Sequence, residues 1–365
     1  MRMKQVLSIL LLLSLFSACL VSCRMSNELT ETTDIESTSK TPQTNVAANP
    51  TTFLNPFSKK ETTIGQIGHG ATNVQYDQNK KRLPYEFSGQ EFSMDYMIVG
   101  SGIAKDSGLL VFLDGIPQLY RTDHDSDIKS FHIFHLEEEN KEFPFQISFA
   151  PSTGKKDELA LCTVVSITNP EFKPDLQETQ GYGVFQQSLP VQHLIHFNNN
   201  PVAAKIPGTF VRANDIRSEK LDLTEIIVQK IQLGTMQEIN NETFNSDDKY
   251  QLYINGTVNP INELEYSPDV PLSFEIYFAG REGNPWAFSF FLDHEPIVFD
   301  ESFALTWNSE KGKALHISFT LDPSKLSNAE TFYMIAAPMK DYPNDDYPPI
   351  LSKTSSILLH KDKSK

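Results

Sequence analysis

Asp123-His124-Asp125-Ser126-Asp127 places three carboxylates at alternate positions of a polar stretch. Oxygen ligands spaced in this way can converge on a hard cation such as Ca²⁺, so Asp123, Asp125 and Asp127 are the metal candidates of the chain. The stretch then departs from the calcium-loop pattern, with Ile128 at the glycine position and Phe134 where a bidentate Glu belongs. A solvated acidic loop is the expectation, and neither a metal nor a cofactor is assigned. His132 and His135, three apart in a run that reads as a strand, fall on opposite faces and share no ligand. Asp114 and Asp293 recur at one place in the two halves of the chain, which would suit paired acid–base work. As turn residues they are expected to accept local hydrogen bonds instead.

Other sources of chemistry are incomplete. Gly65-Gln66-Ile67-Gly68-His69-Gly70 lacks the Lys-Ser/Thr of a phosphate cradle and is expected to be a flexible hinge. Gly100-Ser101-Gly102 lacks the third glycine of a dinucleotide fingerprint and is assigned to a hairpin loop. There is no Gly-x-Ser-x-Gly elbow and no His-Glu-x-x-His helix. Trp286 and Trp307 would make a carbohydrate or peptide platform if they faced outward; core packing is expected, above all for Trp286 beside Phe288, Phe290 and Phe291. Cys162 lies in the apolar run LALCTVVSI of residues 159–167, a buried strand in which a thiol is inert.

The elements that carry these residues repeat. Ser93-Met94-Asp95-Tyr96-Met97-Ile98-Val99-Gly100 lines up with Ser273-Phe274-Glu275-Ile276-Tyr277-Phe278-Ala279-Gly280 at an offset of 180. Phe112-Leu113-Asp114 and Pro117 fall on Phe291-Leu292-Asp293 and Pro296 at 179, and Ile147-Ser148-Phe149 on Ile317-Ser318-Phe319 at 170. Residues 188–196 match 355–360 more loosely. Anchors in the same order with a drifting offset are what a duplicated domain with loop insertions leaves behind. Each copy shows period-two alternation of aromatic and β-branched residues, as in residues 94–98 and 145–149. Asp114-Gly115 and Asn255-Gly256 are hairpin turn pairs; His294 in the place of Gly115 predicts a longer or different turn in the second copy. Residues 223–233, LTEIIVQKIQL, suit an amphipathic helix or a strand equally. The expected fold is all-β: two tandem immunoglobulin-like antiparallel β-sandwich domains related by internal duplication, at residues 64–205 and 206–365. Their boundary falls among the breakers of residues 198–218.

The first 22 residues have signal-peptide anatomy: Arg2 and Lys4, then an apolar run over residues 6–20, then small residues. Leu20-Val21-Ser22-Cys23 resembles the lipobox of bacterial lipoproteins, with Phe16-Ser17-Ala18-Cys19 a poorer overlapping match. The resemblance implies cleavage before Cys23, lipidation of its thiol and an anchor in a bacterial membrane on the extracytoplasmic side, firm by the energetics of acyl burial. Residues 23–63 are dominated by Ser, Thr, Asn, Glu and Pro and are expected to be a disordered tether, since they cannot bury enough surface to offset their chain entropy. With Cys19 and Cys23 so used, Cys162 has no disulfide partner.

The formal charge of −16 over 365 residues argues against a sequence-independent hold on nucleic acid, which needs basic stripes. The partners expected are the bilayer, through Cys23, and an unspecified extracellular or envelope ligand. A membrane-anchored lipoprotein with a non-catalytic binding or structural role is the reading favoured. A lipoprotein hydrolase with a site between the sandwiches, or a transporter-associated substrate-binding lipoprotein, are the alternatives.

Overall fold

The computed structural model describes residues 65–174, 182–202, 206–232, 244, 248–258, 262–342 and 348–362. Cys23, the leader and the tether lie outside the described residues. Ten strands form the first half: β1 (Ile67–Ala71), β2 (Tyr85–Phe87), β3 (Phe92–Gly100), β4 (Asp106–Leu113), β5 (Ile116–Pro117), β6 (Arg121–Thr122), β7 (Phe131–His135), β8 (Phe143–Phe149), β9 (Leu159–Thr168) and β10 (Ser188–Phe197). Twelve form the second: β11 (Asn214–Asp222), β12 (Lys249–Ile254), β13 (Thr257–Val258), β14 (Asn262–Tyr266), β15 (Leu272–Ala279), β16 (Pro285–Leu292), β17 (Glu295–Pro296), β18 (Leu305–Asn308), β19 (Lys313–Leu321), β20 (Ala329–Pro338), β21 (Ser352–Lys353) and β22 (Ile357–Lys361).

Each half is a two-sheet sandwich. In the first, the order β1-β3-β8-β6 faces β2-β10-β9-β4-β5, with β7 also on β4. In the second, β11-β19-β15-β12-β13 faces β14-β22-β20-β16-β17, with β18 on β16 and β21 on β20. Alternation makes the cores: along β3, Phe92, Met94, Tyr96 and Ile98 point inward while Ser93 and Asp95 are exposed. All ladders are antiparallel except one in each half, where the last strand returns beside an early edge strand, β10 on β2 and β22 on β14. His196 and His360 sit at the same place on these returning strands, each near a glutamate, Glu86 at 2.9 Å and Glu263 at 3.6 Å.

The pairings correct one anchor of the repeat. Phe92 faces Phe149 and Leu272 faces Leu321, so β8 corresponds to β19 at an offset of 172, and Ala150-Pro151-Ser152 falls on Asp322-Pro323-Ser324. The matching Ile-Ser-Phe triplets are displaced by two residues, a shift that a period-two pattern hides.

A third core joins the halves. Leu109, Val111 and Leu113 of β4 fill the first sandwich, whereas Leu110 and Phe112 point the other way and pack with Val165 and Ile167 of β9 against Phe291, Tyr333, Ile335 and Ala337 of β16 and β20. These four strands are covered on both faces, which is why they read as nearly unbroken apolar runs. Leu110, Phe112, Phe291 and Ile335 are fully withdrawn from water, at about 1.5–3 kcal/mol per side chain. Motion between the sandwiches would have to give that back.

The two corresponding hairpins meet across this interface. Asp114-Gly115 joins β4 to β5 with φ of 48° and 75°, and a Cβ on Gly115 would lie 2.8 Å from the Cβ of Ala287. Asp293-His294 joins β16 to β17 with φ of 45° and 69°, the same two-residue turn and not the longer or different one expected from the loss of glycine. The left-handed backbone at His294 is held by its ring, which stacks on Phe131 of the first half at 4.5 Å, donates from Nε2 to Pro170 O (2.8 Å) and accepts from the Tyr333 hydroxyl (3.0 Å). Two short α-helices lie among the described residues, α1 (Tyr182–Phe185) and α2 (Glu225–Gln232), beside single turns of 3₁₀ helix at Gly102–Lys105 and Pro323–Lys325. Residues 225–232 are therefore helical; Val228 and Ile231 are buried in a small cluster with Tyr253 and Tyr277, and Ile226 is left 68% exposed.

Candidate functional site

The Asp run is an edge cap. After β5 the chain crosses to the other sheet, where β6 sets Arg121 opposite Ser148 and Thr122 opposite Ile147. Pairing then continues through side chains: Asp123 Oδ1 accepts from Gln146 N (2.8 Å), and His124 Nε2 donates to Pro144 O (3.2 Å). Pro144 has no N–H to satisfy, so the edge of β8 is closed without a longer strand. Asp125 takes Lys129 Nζ at 2.8 Å and lies 3.3 Å from His132 Nδ1; Asp127 shares the same lysine at 3.4 Å. The hydrogen bond from Lys129 holds the Asp125 carboxyl below its ordinary range. Asp123, Asp125 and Asp127 thus do not converge on a common point, and among the described residues no group of three or more His, Cys, Asp or Glu is placed to hold a metal. In the second half the matching loop is a tight turn bridging Phe299 and Ser302, and the whole of β11 covers the edge of β19.

Beside this crossing lies a cleft of about 420 Å³. Its walls come from Gln118, Leu119 and Arg121, from Phe149 and Ala150 at the end of β8, from Ile206-Pro207 in the connection between the halves, and from residues 301–303 of the second sandwich. Several of the polar side chains around it already have partners. Gln118 accepts from Ser152 N (2.9 Å) and donates to Ser152 Oγ (2.7 Å), the Tyr120 hydroxyl donates to Leu109 O (2.7 Å), and Arg121 grips Glu91 through two bonds of 2.7 and 3.1 Å at the rim. Ile128, also at the rim, is 69% exposed. Neither the N–H nor the C=O of Leu119 has a hydrogen-bond partner among the described residues. Among the described residues the cleft offers an apolar wall, one backbone donor and one backbone acceptor at Leu119, and the exposed Glu301 carboxylate.

The remaining residues singled out from sequence are structural. Asp114 Oδ1 accepts from Leu161 N (2.9 Å) and Asp293 Oδ1 from Thr331 N (2.7 Å), so each turn carboxylate bonds the neighbouring strand of its own sandwich, and the two form no pair. Burial raises Asp114 to about 6. Cys162 is fully buried in the first core, and burial pushes its thiol up to about 12. His132 faces inward on β7 and His135 outward, as their spacing requires. Trp286 packs on Phe278 in the second core, and Trp307, part-buried against the same core, lies under Lys220 Nζ. Residues 67–71 are an edge strand and not a hinge: His69 is buried there, donating from Nε2 to Leu189 O (2.9 Å) and accepting from the Tyr96 hydroxyl (2.8 Å). Gly100-Ser101-Gly102 carries the chain from one sheet to the other through a turn of 3₁₀ helix, so it is a crossover and not a hairpin loop.

A half-buried lysine and two buried histidines carried no signal in the sequence. Lys353 donates to Gln186 O, Thr354 O and Ser356 Oγ and sits 4.4 Å from the centre of the Tyr333 ring. With no carboxylate among these partners, burial lowers it to about 7. His193 stands edge-on to Tyr85 and Tyr96, its Nε2 without a hydrogen-bond partner, and burial lowers both His193 and His69 to about 4.

No family model and no curated protein matches the chain. Among solved structures, the CsuC–CsuE chaperone and tip-subunit complex of Acinetobacter baumannii Csu pili aligns at 8% identity over 77% of this chain and 95% of that one, with a TM-score of 0.18. The E. coli chaperone DraB aligns at 8% over 81% and 98%, with a TM-score of 0.21. E. coli alpha-2-macroglobulin aligns at 12%, over 82% of this chain but 15% of its own length, with a TM-score of 0.22. Likeness of this size adds nothing to what the strand pairings already say. Among the described residues no helix is long and apolar enough to cross a membrane.

Proposed function

We propose that the chain is an extracytoplasmic lipoprotein, anchored to a bacterial membrane through acylated Cys23, whose fused sandwiches have a non-catalytic binding role centred on the cleft beside Leu119. The observation that carries the reading is the cleft itself. At about 420 Å³ it falls within the roughly 300–1,000 Å³ of small-ligand sites, which are mostly apolar with a few fixed polar groups. Glu91 in its lining is bound to Arg121 and Gln118 to Ser152, which leaves these groups suited to shaping the site more than to moving a ligand's protons. The large interface between the sandwiches supports a rigid, preformed site.

Two measurements test this. Metabolic labelling with a radioactive fatty acid should mark the full chain and be lost in Cys23→Ser; label retained in that variant would remove the anchor. Titration of the immobilised full chain with solubilised envelope fractions should give a saturable signal that disappears when Ala150→Trp fills the cleft. A signal indifferent to that substitution would place binding elsewhere.

A further inference from the structure

We propose that the occupant of this cleft is an extended peptide segment of a partner protein, lying beside Leu119 as a short added strand. The inference rests on the cleft being the binding site and names what it takes.

The second sandwich displays such an occupant in its own sequence. Leu119 corresponds to Val298: each follows the same hairpin, whose next residue is tied back by Gln118 N to Val111 O in one half and Ile297 N to Phe290 O in the other, both 2.8 Å. Each also precedes an antiparallel bridge, Tyr120 with Lys129 and Phe299 with Ser302. Between these fixed points the halves differ. Val298 N donates to Val211 O and Val298 O accepts from Ala213 N, both at 2.9 Å, making a parallel bridge with Arg212. Arg212 Nη1 donates to Asp300 O (2.8 Å), and Asn214 pairs with Thr320. Val211 and Ala213 pack their side chains onto the second core.

The three positions that receive this segment, Val298, Asp300 and Thr320, correspond to Leu119, Arg121 and Ser148, and all three of those line the cleft. In the first half the two backbone groups of Leu119 are unpaired among the described residues, and no described segment takes the place that residues 211–213 hold in the second half; the cleft lies there instead. An incoming strand would satisfy one donor and one acceptor and cover the apolar wall, the way a peptide adds to an exposed strand. Because β6 already brings Arg121 to Ser148, there is room only for the part equivalent to residues 211–213. The chemistry required is correspondingly specific: two small apolar side chains flanking one that points out, with a free N–H on the second apolar residue.

The test uses the full chain and a fluorescent hexapeptide, Phe-Val-Arg-Ala-Asn-Asp, copying residues 210–215, read by anisotropy. Saturable binding is expected, weakened about tenfold or more when the alanine nitrogen of the peptide is methylated, since that strands the Leu119 carbonyl. Hydrogen exchange should slow at Leu119 on binding, and Ala150→Trp should abolish both effects. The methylated peptide leaves the protein unchanged, so the result does not depend on how that variant folds. Binding that tolerates methylation, or leaves exchange at Leu119 unaltered, overturns the added strand. If the peptide fails to bind while the envelope signal remains sensitive to Ala150→Trp, the peptide inference falls and the cleft reading stands; if both are absent, both fall.

Discussion

Acidification is the perturbation that three buried histidines make most informative. His69, His193 and His294 are each lowered to about 4 by burial, from 6.5 in an open chain. The unfolded chain therefore binds their protons first, and the stability present above pH 6.5 is lost as the pH falls toward 4. Shifts of this size correspond to about 3 kcal/mol for each histidine over the whole range. Opposing them is Asp114, raised to about 6, which favours the folded state as the pH falls through that value; half-buried Asp248 and Glu330, also raised, act in the same sense. The three histidines and Asp114 by themselves make stability fall by about 2 kcal/mol per pH unit near pH 5. The cleaner quantity is a difference. In His193→Phe the edge-on contacts with Tyr85 and Tyr96 can persist and no hydrogen bond of Nε2 is lost. That variant should be the more stable below pH 6 and its slope shallower by about 1 kcal/mol per pH unit. Urea unfolding followed by intrinsic fluorescence at half-unit steps from pH 7 to 4.5 gives both slopes. Parallel curves for the two proteins would refute the claim that His193 is held neutral.

Lys353 supplies the alkaline counterpart: folded at about 7 and 10.5 in an open chain, it should make stability rise by about 1 kcal/mol per unit from pH 7 to 9. Lys353→Met should abolish that rise in the same unfolding assay. Gly115→Ala and Gly256→Ala share a left-handed φ, of 75° and 76°, but only the first meets a neighbour. Both should lose about 1–2 kcal/mol for backbone strain, and Gly115→Ala about 1–3 kcal/mol more for overpacking against Ala287; equal melting temperatures would deny the tight contact. Asp123→Ala strands the Gln146 N–H and should cost about 1 kcal/mol, whereas added calcium should leave the melting temperature of the native chain unchanged. A calcium-dependent rise lost in Asp123→Ala would restore the metal loop.

The parts of the fold legible in sequence were those decided by neighbours along the chain. Alternation along residues 92–98, the turn pair Asp114-Gly115 and the apolar run around Cys162 each depend on a few adjacent residues. The second turn escapes a local reading because the partners that hold His294 left-handed are distant in the chain, among them Pro170, 124 residues away. The Asp run misleads for a related reason: alternate carboxylates are spaced for a cation, but Lys129 and the Gln146 amide, supplied by the fold, take them first. Residues 223–233 had no decisive pattern, and the apolar patch offered by Tyr253 and Tyr277 selects the helix. The cleft is hardest of all to read, since its defining feature is a bridging segment, residues 211–213, that has no counterpart among the described residues of the first half.

The meeting of the two hairpins has a further meaning. The tip at Gly115 rests on Ala287 and Ala337, near the ends of β16 and β20, while the tip at His294 rests on Phe131 and Pro170, beside the corresponding strands of the other half. Equivalent surfaces thus contact each other reciprocally, which is the hallmark of an isologous, dyad-related contact. Nothing in that contact requires the two halves to share one polypeptide; half-length chains carrying the same outer faces could associate in the same way as a homodimer. In one chain the two copies can differ: among the described residues the second closes its slot with residues 211–213 and the first does not.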